Sequence, residues 1–161
     1  MGIFDQIGGA SRPSGSAAHI RAGEYLVSIV ANRHFKSNKP GNPDTFVVEA
    51  KIDKVLFEVG GQSNREGEVV SSVRVVKGDY ADMILGDVRA YVAALLDVDF
   101  ELVDSTAAMR AFEDDGGAFA ALPMKVRAHD KPTKKGGTFT VVTWSQPTEG
   151  ELALLEEIPL T

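Results

Sequence analysis

The sequence predicts a mainly β fold with α-helices, in which a helix separates the third of five strands from the fourth. Runs of β-branched and aromatic residues alternate with polar ones, segments rich in Gly, Pro and Asn separate these runs, and one central stretch has helical periodicity. The chain has 161 residues, of which 43% are hydrophobic and 25% charged. This composition is typical of a single globular domain.

The first two strands are predicted on either side of a basic loop. The run 24–31 alternates aromatic and β-branched residues, and the following segment 35–44 collects Pro, Gly and Asn around two lysines. A long second strand is predicted over 45–59. Its apolar residues change phase near Asp53, which indicates a β-bulge, and Phe57 lies on the new apolar side.

A third strand and a long helix follow. A polar turn over 60–67 leads into the third strand at 68–77, so the first three strands are expected to form a meander. The next segment predicts a helix from Asp79, its N-cap, to Leu96. Residues three or four apart form its apolar face: Tyr80, Ile84, Val88, Tyr91 and Leu95. A shorter helix is expected over 105–114.

The last two strands, 122–129 and 138–145, are expected to form a hairpin with a basic loop over 130–137. Five strands with a helix between the third and fourth is the element order of an OB-fold. That fold is a partly open five-stranded barrel whose faces and loops bind oligonucleotides and oligosaccharides. The sequence therefore predicts an OB-like barrel, although other small barrels with a helical insertion share this order.

We expect one OB-fold domain over 19–147, between a flexible Gly- and Ser-rich arm at 1–18 and an acidic tail at 148–161. The absence of cysteine excludes disulfides, cysteine zinc sites and thiol catalysis. No stretch approaches the roughly 20 apolar residues that cross a bilayer, and the start of the chain does not resemble a signal peptide. We expect a cytoplasmic protein without membrane contact.

No motif for phosphate binding, nucleophilic catalysis or zinc hydrolysis is present, so we expect no enzyme, no cofactor and no metal. The three histidines have no partner at the spacing of metal ligands. The carboxylates Asp97, Asp99 and Asp104 leave open a metal-dependent nuclease. Acidic residues around helix ends more often interact with solvent or with the helix dipole, which favours the non-catalytic interpretation.

Charge is distributed unevenly along the chain. The formal net charge is −6, yet residues 117–147 carry five basic residues against one acidic residue. Residues 78–116 carry ten acidic residues against two basic ones, and the tail carries four acidic residues and no basic one. Two basic segments, 1–44 and 117–147, therefore stand out as candidates for contact with an anionic partner.

The last hairpin combines basic and aromatic side chains, as a groove for single-stranded nucleic acid requires. Strand alternation places Lys125, Arg127 and His129 on one face. The loop adds further lysines, and the return strand carries two aromatic residues on opposite faces. These candidates are Lys131, Lys134, Lys135, Phe139 and Trp144.

The first loop repeats this combination with Phe35, Lys36 and Lys39. The corresponding loops of an OB barrel flank one binding face, so we expect the two basic segments to converge in space. Lysine-rich loops that only increase solubility are the alternative interpretation.

The C-terminal residues interleave glutamates with leucines. The segment Thr148–Thr161 either packs on the barrel as a short element or docks in a basic-rimmed pocket of a partner. In the second case it would also compete with nucleic acid for the protein's own groove. The candidate partner-binding residues are Glu156, Glu157, Ile158, Pro159 and Leu160.

The runs FVVEAKIDKVL, EVVSSVRVVKGDYADMILGDVRAYVAALLDVD and MKVRAHDKPTKKGGTFTVVTW, over about residues 23–146, resemble small bacteriophage-encoded OB-fold proteins that bind single-stranded DNA. The end, Glu156 to Leu160, resembles the acidic tips through which such proteins recruit partner enzymes. The resemblance implies an oligomeric protein of phage DNA replication and recombination, acting without sequence preference in the host cytoplasm. A protein-interaction or virion structural module, assembling through the acidic helix and tail, is the alternative.

Overall fold

The computed structural model describes residues 18–36, 38 and 40–156. Within these residues the strands are β1 (Ala18–His19), β2 (Gly23–Lys36), β3 (Asp44–Glu58), β4 (Val69–Val75), β5 (Pro123–Pro132) and β6 (Thr138–Ser145). The α-helices are α1 (Ala81–Leu96), α2 (Ser105–Phe112) and α3 (Glu149–Glu156). Apart from Ala18, which belongs to β1, the predicted arm lies outside the described residues.

All strands belong to one sheet in the order β1-β4-β3-β2-β5-β6. Strands β2 to β6 pair antiparallel, and the short β1 pairs parallel with β4. The prediction of a mainly β fold with a helix between the third and fourth long strands is confirmed. The sheet is not closed into a barrel, because β4 and β6 do not pair within the described chain. Both strands instead line a cavity of about 200 Å³.

The pairing of β2 with β3 contains three register shifts, and one of them is the predicted bulge. Asp53 has no partner on β2, because Lys54 pairs with Leu26 while Ile52 pairs with Val27. The predicted bulge is therefore confirmed. Another shift leaves Leu56 unpaired, so Phe57 turns to the opposite face and is 59% exposed. The sequence-based placement of Phe57 on the apolar side was wrong, because each bulge reverses the side-chain alternation.

The loop between β3 and β4 is held against the start of β2 by side-chain hydrogen bonds. The Tyr25 hydroxyl donates to the Arg21 carbonyl at 2.7 Å and accepts from the Asn64 backbone amide at 3.0 Å. The Ser63 hydroxyl donates to the Ala22 carbonyl at 2.8 Å, and the Asn64 side chain donates to the His19 carbonyl. This polar loop is thereby fixed against the residues that join β1 to β2.

The hydrophobic core lies between one face of the sheet and α1. Strands β2 and β5 contribute fully buried side chains such as Tyr25 and Met124, and α1 contributes Tyr91, Val92 and Leu95. The predicted helical face is therefore largely correct. Its first member, Tyr80, is 68% exposed, since it lies in a 3-10 turn before α1 begins.

A buried polar group joins β2 to both helices of the insertion. The Tyr91 hydroxyl donates to the Asn32 Oδ1 at 2.6 Å, and the Asn32 Nδ2 donates to the Ala111 carbonyl at 3.0 Å. Asn32 is fully buried, and Gly116 lies against it so closely that a Cβ atom there would be 2.7 Å from the Asn32 Cβ. These contacts fix α1 and α2 relative to β2.

Because the Tyr91 hydroxyl is buried, we expect the protein to lose stability at alkaline pH. Burial raises the pKa of Tyr91 well above its ordinary value of 10. The neutral hydroxyl therefore stabilises the fold fully below pH 10, and this contribution decreases as the pH rises toward the folded-state pKa. The free energy of unfolding should fall by up to about 1.4 kcal/mol per pH unit in this range from Tyr91 alone.

Denaturant unfolding of the wild type and Tyr91→Phe at pH 8, 10 and 11 measures this contribution. At pH 8 the variant should be less stable by about 1 to 3 kcal/mol, because the Asn32 Oδ1 loses its donor. The difference between the two proteins should shrink as the pH rises above 10. Parallel pH profiles would contradict the assignment.

Several boundaries differ from the sequence-based prediction. Helix α1 begins at Ala81 with Tyr80 as its N-cap, so the predicted N-cap Asp79 lies in the preceding 3-10 turn. Strand β5 continues to Pro132, so Lys131 lies in a strand and not in the predicted loop.

Strand β2 continues to Lys36, so Phe35 and Lys36 lie in a strand and not in the first loop. Helix α2 ends at Phe112, before the predicted end at 114, because Glu113 is extended and the two residues after it adopt left-handed backbone conformations, with φ of 51° at Asp114 and 55° at Asp115. Aspartate tolerates this conformation better than most side chains do.

Part of the predicted tail is a helix. The Thr148 hydroxyl accepts from the Glu151 amide at 3.1 Å, and the Glu151 carboxylate accepts from the Thr148 amide at 2.9 Å. These reciprocal bonds form a capping box at the start of α3. None of the helices in the described part of the chain is long and apolar enough to cross a membrane.

Candidate nucleic-acid interface

The hairpin of β5 and β6 projects beyond its neighbour β2. The last pairing between β5 and β2 joins Ala128 to Gly23, whereas β5 continues to pair with β6 as far as Pro132. Residues 129–141 form strand pairs only with one another, and we call this part of the hairpin the ribbon. Most side chains of the ribbon are exposed and are therefore accessible to a ligand.

One face of this hairpin is basic, as the sequence predicted. Met124, Val126 and Ala128 are buried on the core side, while Arg127 and His129 alternate with them and are exposed. Lys131 continues this face and lies directly opposite Phe139 on β6. We call the surface formed by these side chains the ribbon face, and its members are Arg127, His129, Lys131 and Phe139.

An exposed aromatic ring therefore lies next to a cation on the ribbon face. Phe139 is 50% exposed, and Lys131, in register with it, is also exposed. Lys134 and Lys135 occupy the turn at the end of the ribbon. None of these three lysines forms an ion pair with another described residue. Their charge is available to an anionic ligand.

Two cations closer to the core have acidic partners. The Lys125 Nζ lies 2.8 Å from the Glu151 carboxylate of α3, and both side chains are partly buried. The hydrogen bond from Lys125 lowers the pKa of Glu151, and the backbone amide of Thr148 adds to this effect. Arg127 is 3.4 Å from the Glu24 carboxylate and remains 70% exposed. Lys125 is therefore neutralised within the chain, whereas Arg127 stays accessible.

Phe57 extends the ribbon face across the sheet. It pairs with Glu24 on β2, and Glu24 pairs with Arg127 on β5, so the three side chains lie in one row on the same face. Phe57 is 59% exposed. Sequence reasoning missed this residue because a single bulge would leave it on the core side. No signal in the strand marks the second bulge at Leu56.

Trp144 does not belong to the ribbon face. It lies on the other face of β6, partly buried, with its ring 5.0 Å from the ring of Tyr91 in an edge-on arrangement. The two aromatic residues of β6 thus have different surroundings. Phe139 is exposed to solvent, whereas Trp144 packs against the core.

The predicted convergence of the two basic loops is not observed. Lys36 pairs with Asp44 at the C-terminal end of β2, whereas Gly23 at its N-terminal end is the residue nearest the ribbon. The loops lie at opposite ends of a 14-residue strand, about 45 Å in contour length. Phe35 and Lys36 are both exposed but successive, so they point to opposite faces of β2. Lys39 lies outside the described residues.

The partner-binding candidates lie almost entirely outside the described chain. Glu156 is the last residue of α3, and nothing is described of its side chain. Glu157, Ile158, Pro159 and Leu160 lie outside the described residues. The helix that precedes them is attached to the core domain through the ion pair between Glu151 and Lys125.

The acidic residues and histidines form no metal centre in the described chain. No group of three His, Asp or Glu side chains there is close enough to hold an ion. Asp104 accepts a hydrogen bond from the Ala107 amide and caps α2. The ring of His34 stacks on Phe46 and its Nε2 is 2.9 Å from the Asp44 carboxylate. Asp97, Asp99 and Asp104 therefore belong to no such group in the described chain.

No protein-family model matches the sequence, and no curated protein matches it. The functional argument therefore depends on the ribbon face and its surroundings.

Proposed function

We propose that this protein is a non-catalytic single-stranded-DNA-binding protein of the bacteriophage type. In this proposal the ribbon face and the lysines of the turn bind the strand without sequence preference. Arg127, Lys131, Lys134 and Lys135 contact phosphates, and Phe139 stacks on a base. Phe57 provides a second stacking surface on the same side of the sheet.

The observation that carries the proposal is the pairing of Lys131 with Phe139 on a projecting ribbon. Single-stranded nucleic acid needs cations along its backbone and an aromatic plane for its bases. The exposed ring, three unpaired lysines and an accessible arginine provide both within one continuous surface. The net charge of −6 does not oppose this, because the acidic residues are concentrated in residues 78–116 and in the tail.

An OB-like arrangement is the finer fold assignment that we propose. The sheet order β4-β3-β2-β5-β6 and the position of the helices between β4 and β5 support it. The cavity lined by both β4 and β6 also supports it, since an OB-fold is a partly open barrel. In this arrangement the ribbon contains the loop between the fourth and fifth barrel strands, which binds oligonucleotides in OB-folds.

We further propose a role in phage DNA replication or recombination in the host cytoplasm, with replication or recombination proteins binding to the C-terminal residues. The resemblance of the last residues to acidic recruitment tips supports this part of the proposal.

Titration of a fluorescent poly-dT oligonucleotide at several salt concentrations tests DNA binding. If four phosphates are contacted, a plot of log K against log salt concentration should have a slope of about −3, because each contact on a single strand contributes about −0.7. Duplex DNA of equal length, which hides its bases from Phe139, should bind more weakly. A slope near zero, or equal affinity for duplex, would contradict the proposal.

A protein-interaction module is the second candidate, because several apolar side chains are exposed on and around α1 and α2. Tyr80, Met83, Leu102 and Met109 are each more than half exposed. Exposed apolar surface of this kind is typical of sites for protein contact. This candidate predicts association without DNA and indifference to changes of Lys134 and Lys135.

A further inference from the structure

A groove lies between α2 and the paired ends of β2 and β3. Its volume is about 680 Å³, and apolar atoms form most of its accessible surface. Phe46 and Phe112 contact each other edge-on at 5.1 Å between ring centroids. Met109, at the rim, is 74% exposed. The groove is larger than one aromatic side chain, so it has room for a ring together with neighbouring residues.

The surroundings of this groove are acidic. Glu113 lines it, Asp104 precedes α2, and Asp114 and Asp115 follow Glu113 in the turn after the helix. Within the lining, Glu113 is offset by Arg110, and His34 is paired with Asp44. The acidic excess comes from Asp104, Asp114 and Asp115, which adjoin the lining residues Ser105 and Glu113 in the sequence. Carboxylates therefore predominate, and the matching occupant is an apolar tip flanked by cations.

The ribbon of this same protein has that chemistry. It carries an exposed Phe139 with Lys131 opposite and Lys134 and Lys135 at the turn. The charge of the ribbon complements that of the groove, and the aromatic ring matches the apolar lining.

One chain cannot make this contact with itself. His34 and Phe46 lie near the C-terminal end of β2, whereas the ribbon extends beyond its N-terminal end. The strand path from His34 to the turn of the ribbon is about 50 Å long at the usual rise per residue. The ribbon that enters the groove must therefore belong to a second copy.

We propose that the ribbon of one copy docks in the α2 groove of the next copy, with Phe139 inside and the lysines facing the carboxylates. The contact joins two different surfaces, so it is heterologous and each copy retains one free ribbon and one free groove. The acidic groove then presents to the ribbon the same combination of anionic and flat apolar groups as single-stranded DNA. Since this inference builds on the proposed function, DNA and a neighbouring copy should compete for the ribbon.

Sedimentation velocity of the full chain over a range of concentrations, without DNA and at low salt, tests the proposal. The wild type should associate, and the double variant Thr106→Lys/Glu113→Lys should associate at least tenfold more weakly because it reverses the charge of the groove. Both side chains are exposed, and circular dichroism checks that the variant is folded. A monomeric wild type, or unchanged association of the variant, would overturn the proposal.

A charge exchange identifies the occupant. The variant Lys134→Glu/Lys135→Glu should also lose self-association, and an equimolar mixture of the two double variants should recover it. Loss without recovery would overturn the ribbon as the occupant of the groove. Addition of poly-dT should dissociate the wild-type assembly, and persistence of the assembly on saturation with DNA would overturn the shared use of the ribbon.

The groove variant also separates this inference from the proposed function. Neither Thr106 nor Glu113 belongs to the ribbon face, so its affinity for poly-dT per protomer should match that of the wild type or exceed it. A monomeric protein that binds DNA would overturn only the docking proposal. An assembly with the predicted charge dependence that does not bind DNA would overturn only the proposed function.

Discussion

Replacement of Gly23 by alanine should lower the free energy of unfolding by about 3 kcal/mol, a larger loss than most substitutions cause. Gly23 has a φ of 148°, a region that side chains rarely adopt, and its surroundings leave no space for a Cβ atom. That atom would lie 2.7 Å from the Tyr25 hydroxyl and 2.9 Å from both the Phe57 carbonyl and the Ser63 hydroxyl. The substitution therefore destabilises the fold in two ways. It strains the backbone at residue 23, and it displaces the hydrogen-bonded Tyr25 hydroxyl.

Gly41→Ala is the matched control, because Gly41 also has a positive φ, 86°, but no atom within 4 Å of the added Cβ. This substitution should lower the free energy of unfolding only through backbone strain, by about 1 kcal/mol. Denaturant unfolding of both variants and the wild type measures the difference. Equal losses for the two variants would mean that the contacts around Gly23 relax at no cost.

Phe139→Ala should weaken binding of poly-dT by about tenfold, within the 1 to 3 kcal/mol that stacking of a base on an aromatic ring contributes. The salt dependence of binding should not change, since no phosphate contact is lost. Lys131→Ala should instead reduce the slope of log K against log salt concentration by about 0.7. The Phe139 variant should therefore leave the salt dependence of binding unchanged, whereas the Lys131 variant should reduce it.

Phe100→Ala is a control of similar exposure on the acidic side of the molecule. Phe100 is 41% exposed and lies beneath the Arg89 guanidinium, so its loss should leave affinity for DNA within about twofold of the wild type, because no base-stacking energy is lost. Fluorescence anisotropy at constant salt compares the three variants. Equal losses for Phe139→Ala and Phe100→Ala would indicate that Phe139 has no specific contact with the strand.

The sequence was sufficient for features that depend on local pattern. The range of β6 was predicted as the structure has it, and so were the bulge at Asp53 and the basic face of β5. The capping box of Thr148 and Glu151 is also visible in the sequence as Thr-x-x-Glu, and it could have predicted the start of α3.

Features that depend on strand register could not be predicted in this way. The second bulge, which exposes Phe57, results from pairing with Glu24, and alternation along one strand contains no information about its partner. The separation of the two basic loops follows from the antiparallel pairing of β2 with β5. Phe139 and Trp144 are both aromatic residues of β6. The sequence alone does not show that Trp144 packs against Tyr91 while Phe139 is exposed.

The central position of β2 determines how this chain can fold. Strands β2 to β4 form consecutive hairpins, and β5 and β6 form another, so each group closes only short loops. The pairing of Tyr25 with Val126, by contrast, joins residues about 100 positions apart, and the entropy of closing so long a loop slows its formation. We therefore expect the hairpin that carries the ribbon to form early and its attachment to β2 to be the slower step of folding.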